Sequence, residues 1–339
     1  MGNRKIEIRD FPDPAPGPGE VVIEMKASGM CGSDLKFYRP PPGEAQKALG
    51  LGGNAEPFIA GHEPCGVVAS RGPGVSEREA PIGSRVMDHH YAGCGVCKHC
   101  RVGWSQLCRE GITVYGVTAN GGHAEYLKVP ARTLVPLPEE LSFVAGAAVS
   151  CGTGTAYGAL RRMHLAGGAT LAVFGQGPVG ISATLLGAKM GARVIAVETN
   201  AERRALAKKF GADVAVDSPD SINDLTRGEG VDLALDTTGA SAARLAAVRA
   251  AKTWGTVCFV GEGGDVTLDV SRDMLRKQLT LIGSWTFSAM GQLECARFVA
   301  DNRIDLDAIF SHRWKLEQAD EAYRLFDTQS TGKGVIVFT

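Results

Sequence analysis

The chain has no apolar run approaching the roughly 20 residues that a membrane-spanning helix requires. An integral helical membrane protein is therefore excluded. Neither sign of charge is in excess, since 36 lysines and arginines face 37 aspartates and glutamates for a formal net charge of −1. Such a balance leaves no electrostatic footprint for nucleic acid or an anionic membrane surface. The opening residues Met1-Gly2-Asn3-Arg4-Lys5-Ile6 carry charge at once and lack the apolar core of a secretory signal, so a cytoplasmic location is expected. Glycine is abundant at 44 residues but follows no fixed period, which removes collagen-like and low-complexity readings.

What is present begins with cysteine. Cys94, Cys97, Cys100 and Cys108 lie within 15 residues as Cys-x2-Cys-x2-Cys-x7-Cys, in a stretch punctuated by glycine. Thiolates so spaced can fold back around one tetrahedral ion, and four sulfurs leave no open coordination position, so the spacing predicts a structural zinc site. A set of disulfides and an iron–sulfur cluster are the alternatives. The other five cysteines are Cys31, Cys65, Cys151, Cys258 and Cys295. An odd total in a reducing compartment points to ligands and buried thiols.

At 339 residues the chain exceeds what one hydrophobic core usually serves, so two domains are expected. Residues 21–25, 66–69, 85–87 and 124–129 read as short strands between Pro/Gly turns, the pattern of a small antiparallel, barrel-like β domain. The proline-rich residues 12–18 read as a stiff extended lead into the first of them. From about Cys151, buried strands at 170–174, 193–197, 231–235, 256–260 and 279–282 alternate with Ala-rich helical stretches such as 179–190 and 201–210. That alternation is the mark of βαβ units in a parallel sheet. Beyond Ala289 come a helix, a connecting stretch, a second helix near 319–326 and a last strand at 334–338.

Gly175-Gln176-Gly177-Pro178-Val179-Gly180 follows the strand at 170–174 and opens a helix, which is the context that turns Gly-x-Gly-x-x-Gly into a dinucleotide fingerprint. The glycines allow a tight turn and close approach of a pyrophosphate to the helix's first amides. The next strand ends at Glu198, whose carboxylate can accept both ribose hydroxyls and would repel a 2′-phosphate. NAD is therefore expected over NADP. Arg203 and Arg204 on the following helix qualify this, since an arginine there can reach a phosphate.

Cys31 in Gly29-Met30-Cys31-Gly32-Ser33-Asp34, His62 and Glu63 in Gly61-His62-Glu63-Pro64, and Cys151 in Ser150-Cys151-Gly152 share no spacing rule. Together with the tetracysteine run, Gly121-Gly122-His123-Ala124-Glu125-Tyr126 and the nucleotide fingerprint, they resemble the zinc-dependent medium-chain alcohol dehydrogenases over essentially the whole chain. The resemblance implies an α/β fold with a β-rich part: a GroES-like catalytic domain at 1–151, completed by 287–339, and a Rossmann domain at 152–286. It implies two zinc ions per chain. Cys31, His62 and Cys151 correspond to the ligands of the catalytic ion, with a fourth position left for water or substrate, and Cys94, Cys97, Cys100 and Cys108 correspond to those of the structural ion. Ser33 matches the hydroxyl that hands the substrate proton onward, Asp34 the orienter of His62, and Glu63 the carboxylate close to the metal. The implied reaction moves a hydride between an alcohol, or its aldehyde or ketone, and NAD(H). A homodimer or tetramer is implied as well.

The resemblance is not complete. Lys36 stands where many relatives carry the histidine that completes the proton relay, and Gly32 where some have a phosphate-binding arginine, so Lys333 is read as a helper for phosphate. Cys151 is typical of the alcohol dehydrogenase branch, since polyol and threonine dehydrogenases generally place a glutamate there. Family members also carry a strand before the equivalent of residues 5–9; here either that strand is absent or the start was placed late. For the substrate pocket the candidates are His90 and Trp285, with His89 the alternative to His90, and Phe37, Tyr38 and Pro40-Pro41-Pro42-Gly43 as a mouth. A polyol or amino-alcohol substrate, a zinc-free enone or quinone reductase, and a non-enzymatic NAD-responsive zinc protein are the competing functions.

Overall fold

Val21, Ile23, Met25 and Ala27 alternate along one strand, β1 (Glu20–Gly29), and all four are buried. This strand is the spine of the β-rich unit. The computed structural model describes residues 1–48, 50 and 58–339. Along the chain follow β2 (Glu63–Arg71), β3 (Arg85–Asp88), the short β4 (Tyr91–Ala92) and β5 (Thr113–Val114), β6 (Tyr126–Pro130) and β7 (Leu134–Pro136). Much later come β14 (Phe310–Trp314) and β15 (Lys333–Val337). They form a mixed sheet in the order β14-β15-β1-β2-β3-β7, with β6 also paired to β1, while β4 and β5 make a separate ribbon. Only β14 and β15 run parallel in the larger sheet. Where β2 crosses β1, Gly66 is required, because a Cβ there would stand 2.1 Å from the Glu24 carbonyl oxygen.

The second unit is a parallel sheet. Its strands are β8 (Thr170–Phe174), β9 (Arg193–Val197), β10 (Val214–Val216), β11 (Val231–Asp236), β12 (Ala251–Phe259) and β13 (Thr280–Gly283). They lie in the order β10-β9-β8-β11-β12-β13 with every pairing parallel. This is the 3-2-1-4-5-6 order of a Rossmann sheet, whose reversal between the first and fourth strands marks where a ligand binds. Ala172, Phe174, Ile195, Val197, Val231 and Val257 pack in its core. The compact units are Met1–Gly154 with Phe287–Gln329 and Lys333–Thr339, and Thr155–Thr286 with Ser330–Gly332. Among the described residues no helix is long and apolar enough to cross a membrane.

Several elements escape the sequence reading. β14 lies in what reads as a connecting stretch, because Phe310-Ser311-His312-Arg313-Trp314 places polar side chains between its aromatic ends. β10 is only three residues long, and no fully buried side chain marks it. The amino-terminal segment has no strand before Glu20; instead the Asn3 and Arg4 amides donate to the carbonyls of Pro40 and Tyr38.

Candidate metal centres

The four clustered cysteines turn their sulfurs inward, all within 4.8 Å of one another. The turn that brings them together uses Gly95 in the left-handed region, with φ of 79°. Gly93 is required for a different reason: a Cβ there would come within 2.6 Å of Cys100 Sγ. Local amides serve the sulfurs. Cys94 N–H donates to Cys108 Sγ at 3.2 Å and Cys97 N–H to Cys94 Sγ at 3.3 Å. Backbone amides pull the Cys97 thiol down to about 6, and burial pushes Cys100 up to about 12. The lobe is tied to the rest of its unit through Arg132 to the Gly93 carbonyl (2.6 Å), Ala289 N–H to Gly103 (2.9 Å) and Gln106 to Phe287 (2.8 Å). Four convergent sulfurs fit a closed tetrahedral ion.

The second donor set is assembled from distant parts of the chain. Cys31 follows β1, His62 and Glu63 stand at the start of β2, and Cys151 precedes the helix Gly152–Arg162. All four are buried, and one donor atom from each lies within 4.8 Å of the others. Cys31 Sγ and Cys151 Sγ are 3.9 Å apart. Cys151 sharing its proton holds the Cys31 thiol well below its ordinary range, and Cys151 itself is pushed well above its own. A divalent cation would displace that shared proton and take both sulfurs as thiolates.

Asp34 fixes the imidazole. Its Oδ1 is 2.8 Å from His62 Nδ1, and its Oδ2 accepts from the Cys31 amide at 2.7 Å. Burial alone would lower the His62 pKa, but Asp34 and Cys31 raise it well above the ordinary value. With Nδ1 turned to Asp34, Nε2 is left for an ion, the arrangement in which a carboxylate sets the tautomer of a ligating histidine. Ser33 Oγ stands 3.2 Å from that Nε2. Glu63 is seated between the Gly152 amide, at 3.1 Å from Oε1, and Lys333 Nζ, 2.5 Å from Oε2. Burial pushes the Glu63 carboxyl up to about 7 against the pull of Lys333.

His90 is buried beside this set, its ring centroid 5.1 Å from that of His62. Its Nδ1 is 3.2 Å from the Ser150 carbonyl. A carbonyl only accepts, so Nδ1 carries the hydrogen and Nε2 is an acceptor. Burial and His62 lower its pKa well below the ordinary value, which keeps the ring neutral. His89 points elsewhere, to Gln292 Oε1 at 3.3 Å and edge-on to Phe287.

In the parallel sheet, Gly175 leaves β8 at φ of 84°, and a Cβ on it would strike the Thr238 side chain at 2.6 Å. At Gly180 a Cβ would stand 2.0 Å from the Gly175 carbonyl, whereas at Gly177 it would meet nothing within 4 Å. Two glycines are thus required by the protein, and the middle one opens onto space where a pyrophosphate can approach. Pro178 begins the helix Pro178–Lys189 at its first turn. Glu198 closes the other side, accepting from the Gln176 amide at 2.8 Å and from the Asn200 amide at 2.9 Å. Gln176 is buried, its side chain bonded to Val173 and Thr184. Arg203 Nε donates to the Thr331 carbonyl at 3.3 Å and Arg204 to the carbonyls of Glu198 and Thr199.

The remaining sequence-selected residues fall in several places. Phe37 and Tyr38 do not form a mouth: Phe37 packs with Tyr91 and Val114, and Tyr38 with Trp314 and Tyr323, in two core clusters. Lys333 is not a phosphate helper, because it is fully buried on Glu63 and the Met30 carbonyl. Lys36 lies in the short helix Asp34–Tyr38, half-buried. Trp285 is 38% exposed and belongs to the parallel-sheet unit, not the unit that holds His90.

Residues 17–139 match the family model of the alcohol dehydrogenase GroES-like domain, and residues 178–300 that of the zinc-binding dehydrogenases. Over 349 aligned residues the chain is 39% identical to an uncharacterized zinc-type alcohol dehydrogenase-like protein, YphC, of Escherichia coli (strain K12), covering 99% of this chain and 97% of that one. It is 31% identical to an L-threonine 3-dehydrogenase of Pyrococcus horikoshii, over 98% of this chain and 94% of the relative. Among solved structures it is similar to the alcohol dehydrogenase TADH from Thermus sp. ATN1, with a TM-score of 0.88, 26% identity, and coverage of 100% of this chain and 98% of that one.

Proposed function

Because the chain belongs to the zinc-dependent medium-chain alcohol dehydrogenases, an enzyme family that oxidises alcohols with a nicotinamide cofactor, we propose specific roles for its residues. Cys31, His62 and Cys151 hold a catalytic zinc ion, and Cys94, Cys97, Cys100 and Cys108 hold a structural one. The observation that carries this reading is the convergence of three donors from separate segments with His62 Nε2 turned inward by Asp34. When bound, the catalytic ion supplies Lewis acidity that lowers the pKa of an alcohol, as it lowers that of bound water to about 7. Ser33 Oγ, beside His62 Nε2, receives the substrate's hydroxyl proton and passes it outward. Asp34 keeps Nδ1 engaged so that the imidazole stays in one orientation.

For the cofactor, Glu198 supports NAD over NADP. Its carboxylate stands at the end of β9 beside the Gln176 amide, where ribose hydroxyls would donate and a phosphate would be repelled. Arg203 and Arg204 already donate to main-chain carbonyls, which weakens their claim on a 2′-phosphate.

A second reading concerns the substrate. Neutral, buried His90 offers Nε2 as an acceptor near the ligand His62, which favours an amino-alcohol or a polyol, whose second polar group can donate to it. The test is a panel of simple alcohols, polyols and amino-alcohols assayed with NAD and with NADP, for the unaltered protein and Cys31→Ser. The expected outcome is that Cys31→Ser lowers turnover at least ~1,000-fold on every active substrate while cofactor binding is unchanged. Retained turnover would sink the assignment of the catalytic centre.

A further inference from the structure

Lys333 is a cation with no solvent exposure at the start of β15. Its ammonium donates to the Met30 carbonyl at 3.0 Å and lies 5.7 Å over the Phe310 ring. Its only ion-pair partner among the described residues is Glu63, itself fully buried, at 2.5 Å. The carboxylate occupies a fitted socket. One oxygen accepts from the Gly152 amide, the other faces Lys333, and Gly29 flanks it so closely that a Cβ there would stand 2.0 Å from Oε2. Yet a carboxylate oxygen of Glu63 remains within 4.8 Å of donor atoms on Cys31, His62 and Cys151.

Glu63 therefore has two cations within reach, the ammonium of Lys333 and an ion held by the other three residues. Moving the carboxylate onto the ion would strand a buried ammonium whose remaining polar contact is one carbonyl, and an unpaired buried charge is strongly disfavoured. We propose that Lys333 is a positioning residue that holds Glu63 back from the metal and so keeps the fourth coordination position open for an outside ligand. The proposal rests on the reading of Cys31, His62 and Cys151 as metal ligands. The chain's other centre needs no such device, since four thiolates fill it.

The test replaces the catalytic ion with cobalt(II) in the full chain and follows the visible spectrum while imidazole is titrated as the outside ligand. In the unaltered protein imidazole shifts the cobalt bands. With Lys333→Met, Glu63 takes the fourth position: the bands differ before any addition, and the imidazole affinity falls about 100-fold. Adding Glu63→Gln to Lys333→Met restores the affinity to within about tenfold of the unaltered protein, because the competing ligand is gone. An unchanged spectrum and affinity in Lys333→Met overturns the proposal, and so does a double variant as weak as the single one. Should Lys333→Met not fold, Glu63→Gln alone decides: imidazole binding equal to or tighter than in the unaltered protein supports the proposal, and weaker binding overturns it. Absence of any cobalt band in the unaltered protein would instead overturn the metal-ligand reading beneath it.

Discussion

The two centres share a unit and a chemistry of sulfur, but they are built in opposite ways. Cys94, Cys97, Cys100 and Cys108 come from one short segment, remain partly exposed, and take their hydrogen bonds from amides of the same segment. Cys31, His62, Glu63 and Cys151 come from three segments up to 120 residues apart, are wholly buried, and depend on Asp34 and Lys333. A local segment can close on an ion without much help from the fold, so its donors need only the right spacing. A buried, open centre requires the finished sheet, since β1, β2 and β15 each deliver part of it. On the proposed reading, the closed site would act on the stability of its lobe, and the open one would keep room for a reactant.

The largest expected effect tests that division. Cys94→Ser should release the structural ion, lower the melting midpoint by roughly 10 °C, and leave about one zinc per chain in place of about two. The loss corresponds to at least ~3 kcal/mol, because the lobe's fold and its ion are one equilibrium. Metal analysis beside a thermal melt reads both quantities. An unmoved midpoint with one ion lost would break the comparison, since the closed centre would then hold no structure.

That contrast also explains what could be read from the chain. The tetracysteine spacing stands out unaided, and so does Gly175-Gln176-Gly177-Pro178-Val179-Gly180, because each lies within one turn-and-helix unit. Cys31, His62 and Cys151 are joined only by resemblance to a family, since β-sheet pairing across the chain has no local signature. Lys333 shows the limit most clearly. As a lysine near a glycine-rich tail it suggests a surface cation for phosphate, and only the pairing of β15 with β1 buries it behind Glu63. Phe37 and Tyr38 mislead for the same reason, because aromatics beside a ligand motif suit a pocket or a core equally well until Tyr91 and Val114 close over Phe37, and Trp314 and Tyr323 arrive from the far end of the chain to cover Tyr38.

Along the chain, the end of β3 leads into the tetracysteine lobe. Asp88 closes that strand, His90 holds the Ser150 carbonyl beside Cys151, and the chain then passes through Gly93 into the tetracysteine lobe. Burial pushes the Asp88 carboxyl from 3.8 up to about 7, and neither of its oxygens has a hydrogen-bond partner among the described residues. The folded chain therefore keeps a proton that the unfolded chain releases, so the stability is full below pH 4 and is lost as pH rises toward about 7. The interval corresponds to ~4 kcal/mol at most, and relaxation around the charge will reduce it. Asp88→Asn should flatten this slope between pH 4 and 7 and raise the denaturation midpoint at pH 8. A slope identical to that of the unaltered chain would show that Asp88 is not the group behind it.

The smallest effect sharpens the comparison most, because it should touch one centre alone. Asp34 holds two ligands of the open site, through Oδ1 to His62 Nδ1 and Oδ2 to the Cys31 amide. An amide at that position keeps one acceptor and loses the charge, so Asp34→Asn should weaken zinc binding there by about 10- to 100-fold, or ~1.4 to ~2.7 kcal/mol. Chelator competition should show this loss for one ion per chain. The other ion should be released as before, since the tetracysteine sulfurs accept from the local Cys94 and Cys97 amides, which Asp34→Asn leaves untouched. Equal weakening at both ions would mean that the centres are coupled through their common sheet, and the local construction of the closed site would no longer account for its independence.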